Sequence, residues 1–136
     1  MRRIVQLCLV LSFVATAACS GDDSPDFEPT PTPEPVTQDF PGTLTVNGAQ
    51  THQFQTDGGD LTATLTSLAP NTAATVGLAI GTWNGTSCQL VIAKTDAVQG
   101  TVLLATASQT GTLCVYIHDV GLLAASVSYV VTVVHP

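Results

Sequence analysis

A chain of 136 residues with three Lys+Arg, ten Asp+Glu and a net charge of −7 has room for one domain. It has too few cations for nucleic acid, whose binding replaces counterions with Lys and Arg. The same shortage argues against electrostatic adhesion to anionic lipid.

Arg2 and Arg3 open the chain, and Ile4 to Val14 is apolar apart from Gln6 and Ser12. Ala15-Thr16-Ala17-Ala18 then supplies small residues before Cys19. This order is that of a secretory signal, and its apolar run is shorter than the roughly 20 residues that span a bilayer. Residues 1–18 are therefore read as a cleaved signal. Thr16-Ala17-Ala18-Cys19 resembles a lipobox, with Thr16 where Leu is usual. That resemblance implies a diacylglyceryl group on the Cys19 thiol, cleavage just before it, and a membrane partner reached through lipid. The alternative is ordinary cleavage after Ala17, with Ala15 and Ala17 forming an A-x-A site. Ser20, where Asp would be the inner-membrane retention signal of enteric bacteria, points to an outer membrane where the cell has two. Asp22-Asp23 resembles short acidic surface-export tags.

Loss of Arg2 and Arg3 leaves Lys94 alone against ten acids, −9 on side chains. Six of the acids, Asp22, Asp23, Asp26, Glu28, Glu34 and Asp39, fall in residues 19–39, with Pro25, Pro29, Pro31, Pro33 and Pro35. Such a segment cannot build a core and reads as an extended spacer, reaching about 60 Å at most.

From Phe40 the period becomes two. Thr43–Val46 alternates and ends at Asn47-Gly48, a tight-turn signal. Thr51–Thr56 places Phe54 inward and Gln53 and Gln55 outward, before a turn at Asp57-Gly58-Gly59-Asp60. Leu61, Ala63 and Leu65 face in, with threonines between them, and Ala69-Pro70-Asn71 breaks the run. Thr75–Trp83 carries Val76, Leu78 and Ile80 on one face and Gly77, Ala79 and Gly81 on the other. Asn84-Gly85 turns into Cys88–Ala93. Thr101–Ala105, the stripe Leu113, Val115 and Ile117, and Val127–Val134 with Tyr129, Val131 and Val133 inward complete about eight strands. No helical period persists. The expectation is an all-β, antiparallel β-sandwich over residues 40–136.

Gly42-Thr43-Leu44, His52-Gln53-Phe54, Leu61-Thr62-Ala63-Thr64-Leu65, Leu113–Gly121 and Ser128–Val133 together resemble bacterial pre-peptidase C-terminal (PPC) domains. The resemblance covers residues 40–136. It implies a jelly-roll-like sandwich of the kind appended to secreted enzymes, here standing behind a lipid anchor.

Once Cys8 leaves with the signal and Cys19 takes lipid, Cys88 and Cys114 remain, an even pair in an exported protein. A disulfide is the expectation. Two buried free thiols, or a metal site lacking finger-like ligand spacing, are the alternatives. Neither a G-x-S-x-G elbow nor an H-E-x-x-H helix occurs, so no catalytic residue, cofactor or metal is expected. His118 and Asp119 next to Val120-Gly121, and the turn acids Asp57 and Asp60, are the metal alternatives. Asp119 is better read as bonding turn amides. Trp83, with Asn84 or Thr86 giving hydrogen bonds, can stack on a sugar or cover the end of the core. The expected role is a non-catalytic module for interaction or structural support at the envelope, with an envelope protein or glycan as partner. The alternative is a carbohydrate-binding module using Trp83, Asn84 and Tyr116. Replacing Cys19 with Ser should block acylation and leave unprocessed precursor on immunoblots. Mature, soluble protein from that variant would show ordinary signal cleavage instead.

Overall fold

The computed structural model describes residues 29–136. The residues read as signal, Cys19 and the stretch read as spacer as far as Glu28 lie outside them. Eight strands are found among the described residues: β1 Val36–Leu44, β2 Ala49–Thr56, β3 Gly59–Ala69, β4 Val76–Trp83, β5 Cys88–Ala97, β6 Val102–Ala107, β7 Gly111–His118 and β8 Val127–His135. They form two four-stranded sheets, β1-β8-β3-β6 and β2-β7-β4-β5, with every neighbour antiparallel. The chain changes sheet at every connection except the β4–β5 hairpin. This is the strand order of a jelly roll, which buries its inner faces against each other and leaves two edges on each side.

The inward stripes expected from alternation meet in one core. Leu61, Ala63 and Leu65 of β3, Val76, Leu78 and Ile80 of β4, Val115 and Ile117 of β7, and Tyr129, Val131 and Val133 of β8 are all buried in a single cluster. Each such aliphatic side chain contributes about 1.5–3 kcal/mol on burial, so the alternation itself fixes which face of each strand is inside. In β3 the pairing with β8 shifts between Leu65 and Ser67. This bulge resets the parity and turns Leu68 inward.

β1 begins at Val36, within the stretch read as spacer. Val36, Thr37 and Asp39 are exposed, so side-chain burial does not recruit them. Residue-by-residue pairing with β8 does, from Val36↔His135 to Leu44↔Val127. Pro41 is tolerated because β1 is an edge strand, where a missing N–H costs nothing on the open side. The strand ends at Leu44, and Asn47 turns the chain with a φ of 56°, a conformation Asn accepts more readily than most residues. β5 likewise runs past Ala93 to Ala97.

The outer face of β4 has a physical reason for its small residues. Gly77, Ala79 and Gly81 lie opposite His118, Tyr116 and Cys114 of β7. A Cβ on Gly77 would overlap the His118 ring, and one on Gly81 would overlap the Gln89 carbonyl of β5. Across this gap Cys88 and Cys114 are joined, with Sγ atoms 2.09 Å and Cα atoms 5.8 Å apart. The bridge links β5 to β7, the two neighbours of β4. It lies outside the core cluster, although Cys114 is fully buried. Closing a loop of 26 residues should contribute about 3–4 kcal/mol. Reduced protein should therefore unfold at clearly lower urea than oxidised protein, and coincident transitions would show that the bridge adds nothing. Gly81→Ala should cost about 1–3 kcal/mol in the same measurement, because the obstructing atom belongs to backbone.

Candidate functional site

The register of the second sheet gathers aromatic and hydroxyl side chains on its outer face. Thr51 pairs with Tyr116 across β2 and β7, and Trp83 pairs with Cys88 across β4 and β5. These four residues, with Thr86, Ser87 and Leu90, line a cavity of ≈380 Å³. Two of the sequence-selected residues, Trp83 and Tyr116, thus share one cavity. Asn84 is not among its lining residues. Its Oδ1 accepts the backbone N–H groups of Thr86 at 2.9 Å and Ser87 at 2.8 Å, so its side chain shapes the hairpin that carries Thr86. Tyr116 is held from the other side by His118, whose ring stacks on it at 5.1 Å between centroids. None of the lining residues is charged, which suits neutral hydroxyl-bearing ligands that offer a flat apolar face to an indole.

Trp83 also walls a second cavity of ≈390 Å³, where the sheets part between β5 and β6. Its floor includes Leu61 and Ile80, and its rim includes Thr106, Gln109 and Thr110. The sequence marks those rim residues only as a small polar run between strands. The opening depends on how two edges face each other, which no local pattern encodes.

The ionisable groups of the domain sit elsewhere. His52 lies on the inner face of β2, opposite Val115. Its Nε2 is 2.7 Å from the Tyr129 hydroxyl, and its ring stacks on Phe40 at 5.2 Å. Burial lowers the pKa of His52 and raises that of Tyr129, because each charged form would lose water. Gly42 makes the room, since a Cβ there would overlap the Tyr129 ring. His135 is buried against Phe54, with ring centroids 5.1 Å apart, and its Nδ1 is 2.8 Å from the Pro136 oxygen.

Asp119 fastens two loops. Its Oδ2 accepts the Asn47 N–H at 2.8 Å, and its Oδ1 accepts those of Gly121, Leu122 and Leu123 at 2.9–3.1 Å. The Asn47 bond first, and the other three with it, hold its carboxyl below the usual carboxylate range against a smaller desolvation effect. Asp60 accepts a 2.7 Å bond from the Thr106 hydroxyl, and Asp96 pairs with Lys94 at 3.0 Å. Among the described residues no three His, Cys, Asp or Glu side chains gather in a way that could hold a metal, so Asp57, Asp60, His118 and Asp119 do not form such a group. No family model matches the chain, and no curated protein matches it in sequence.

The half-buried His52 gives the fold a pH dependence of defined sign. The unfolded chain protonates this residue near pH 6.5 and the folded chain only at lower pH, so the unfolded state binds the extra proton. This stabilisation is complete above about pH 6.5 and is lost as the pH falls through the folded value. His52→Gln should flatten the dependence of the urea midpoint on pH below neutrality. An unchanged slope in the variant would assign it to another group.

Proposed function

We propose that the chain is a non-catalytic β-sandwich module, displayed on the cell envelope by lipid on Cys19 and held clear of the membrane by its acidic, proline-rich spacer. Its work is interaction or structural support, with an envelope protein or glycan as partner and no nucleic acid. The observation that carries this reading is how the ionisable side chains are used. His52 bonds Tyr129, Asp119 holds four backbone amides, and Lys94 is paired with Asp96. None of these pairings aligns a nucleophile with a base. The PPC-like sequence segments support the same reading, since in that family the sandwich accompanies enzymes rather than performing their chemistry. Ser20 after Cys19 supports the outer membrane as the site of anchoring in a cell with two membranes.

A second reading is favoured by one observation, the common cavity of Trp83 and Tyr116. It makes the module a binder of neutral carbohydrate. Trp83 would stack on a sugar ring, and Thr51, Thr86 and Ser87 would exchange hydrogen bonds with its hydroxyls.

Purified mature protein should turn over no peptide, ester or glycoside substrate. Turnover that disappears in His118→Ala would overturn the non-catalytic reading. On a glycan array, binding that falls at least tenfold in both Trp83→Ala and Tyr116→Ala would support the carbohydrate reading. Binding indifferent to both would remove it.

A further inference from the structure

The outer edges of the two sheets on one side are β5 and β6, and the cavity of ≈390 Å³ opens between them. We infer that this opening is a binding site for a small, neutral, largely apolar molecule, distinct from the outer-face cavity of the second sheet. Three features of its construction converge on that assignment.

The first is its floor. Leu61 and Ile80 belong to the central core, at 2% and 3% exposure, and yet they line the cavity. The opening therefore reaches the apolar interior, at a volume within the roughly 300–1,000 Å³ of small-molecule sites. The second is its mouth. Ile80 pairs with Ile92 but Gly81 pairs with Leu90, so Val91 is an extra residue, a bulge in the edge strand. Bulges re-aim side chains and cluster beside binding sites. This one places Val91 on the cavity while leaving it 70% exposed, a higher value than for any other exposed large hydrophobic residue of the domain. An apolar occupant resting on that floor would cover Val91, and so remove from water surface that the fold leaves wet.

The third is the polarity of the rim. Gln109 offers its side-chain amide, while Thr106 and Thr110, whose hydroxyls donate to Asp60 and to the Asp57 carbonyl, offer acceptor oxygens, and no charged residue lines the cavity. A charged ligand would be desolvated there without a partner, whereas a hydroxyl, carbonyl or amide on an apolar frame finds one.

Dansylamide is a suitable probe, because it is neutral at pH 7 and accepts excitation energy from tryptophan. The chain contains one tryptophan, Trp83, which walls the cavity. Titration of the intact mature protein should give saturable energy transfer from Trp83, at least tenfold tighter than for anionic dansyl sulfonate. Val91→Asp changes an exposed position at the mouth and should weaken binding at least fivefold. Ala105→Phe, on the inner side of β6, should fill the cavity and abolish binding. Leu122→Asp alters a residue 68% exposed that lies outside the cavity, and should leave the affinity within twofold. Equal affinity for the neutral and anionic probes, non-saturable transfer, or equal weakening by Val91→Asp and Leu122→Asp would each overturn the assignment.

Discussion

On the outer side of β4, from Gly77 to Gly81, there is room for nothing larger than a methyl group. Gly77, Ala79 and Gly81 face His118, Tyr116 and Cys114 across the ladder with β7, and two of these positions would collide with their neighbours if they carried even a methyl group. Neighbouring strands can therefore lay their own groups over β4. The imidazole of His118 covers Gly77, Tyr116 stacks on that imidazole, and the disulfide crosses from β5 to β7. Because these overlying groups are fixed from both sides, the cavity beside them is bounded by Trp83, Cys88 and Tyr116. Its shape thus follows from residues that are conspicuous only for being small.

A second constraint is polar and works from inside. Tyr129 is buried in the aliphatic core, where an unpaired hydroxyl would cost about 1–3 kcal/mol. His52 meets that need from the opposite sheet, with Phe40 covering its other side and Gly42 yielding the space. One hydrogen bond thereby fixes the registration of β2 against β8 through the thickness of the sandwich, a kind of specificity that apolar contacts alone supply poorly. At the other end, Asp119 binds the β1–β2 turn to the loop after β7 by receiving both sets of amides, so two connections that are distant in sequence move as one.

The parts of this architecture that were legible in the sequence were those written with period two. Leu61-Thr62-Ala63-Thr64-Leu65 and the stripe Tyr129, Val131 and Val133 announce their inner faces because burial selects every second residue. Trp83 was recognisable as an aromatic residue at a strand end, Tyr116 as one on the face opposite the core stripe of its strand, and the two cysteines as an even pair. The remainder was set by partners far along the chain. Val36–Asp39 look like spacer because their composition is that of the spacer, and only the ladder with β8 makes them a strand. His52 resembled any polar residue between Thr51 and Gln53 until the inner face of β2 brought it to Tyr129. The bulge at Val91 is invisible in a run of apolar residues, since the extra residue exists only by comparison with the opposing strand. Asn84 fits a ligand contact by type, yet its side chain is committed to the hairpin it begins.

The pairing of β1 with β8 has a mechanical consequence. β1 is an edge strand held by one neighbour, and its nine residues are matched from Val36 to Leu44 without interruption. Antiparallel hydrogen bonds run perpendicular to the strands. Tension applied at Val36 along the strand axis therefore strains all the rungs together, while a sideways pull opens them one after another from the Val36 end. A domain tugged through the residues that precede Val36 resists like a lap joint in the first direction and peels like tape in the second. The angle at which the spacer leaves the sheet, more than the strength of any single contact, decides how much force the fold withstands.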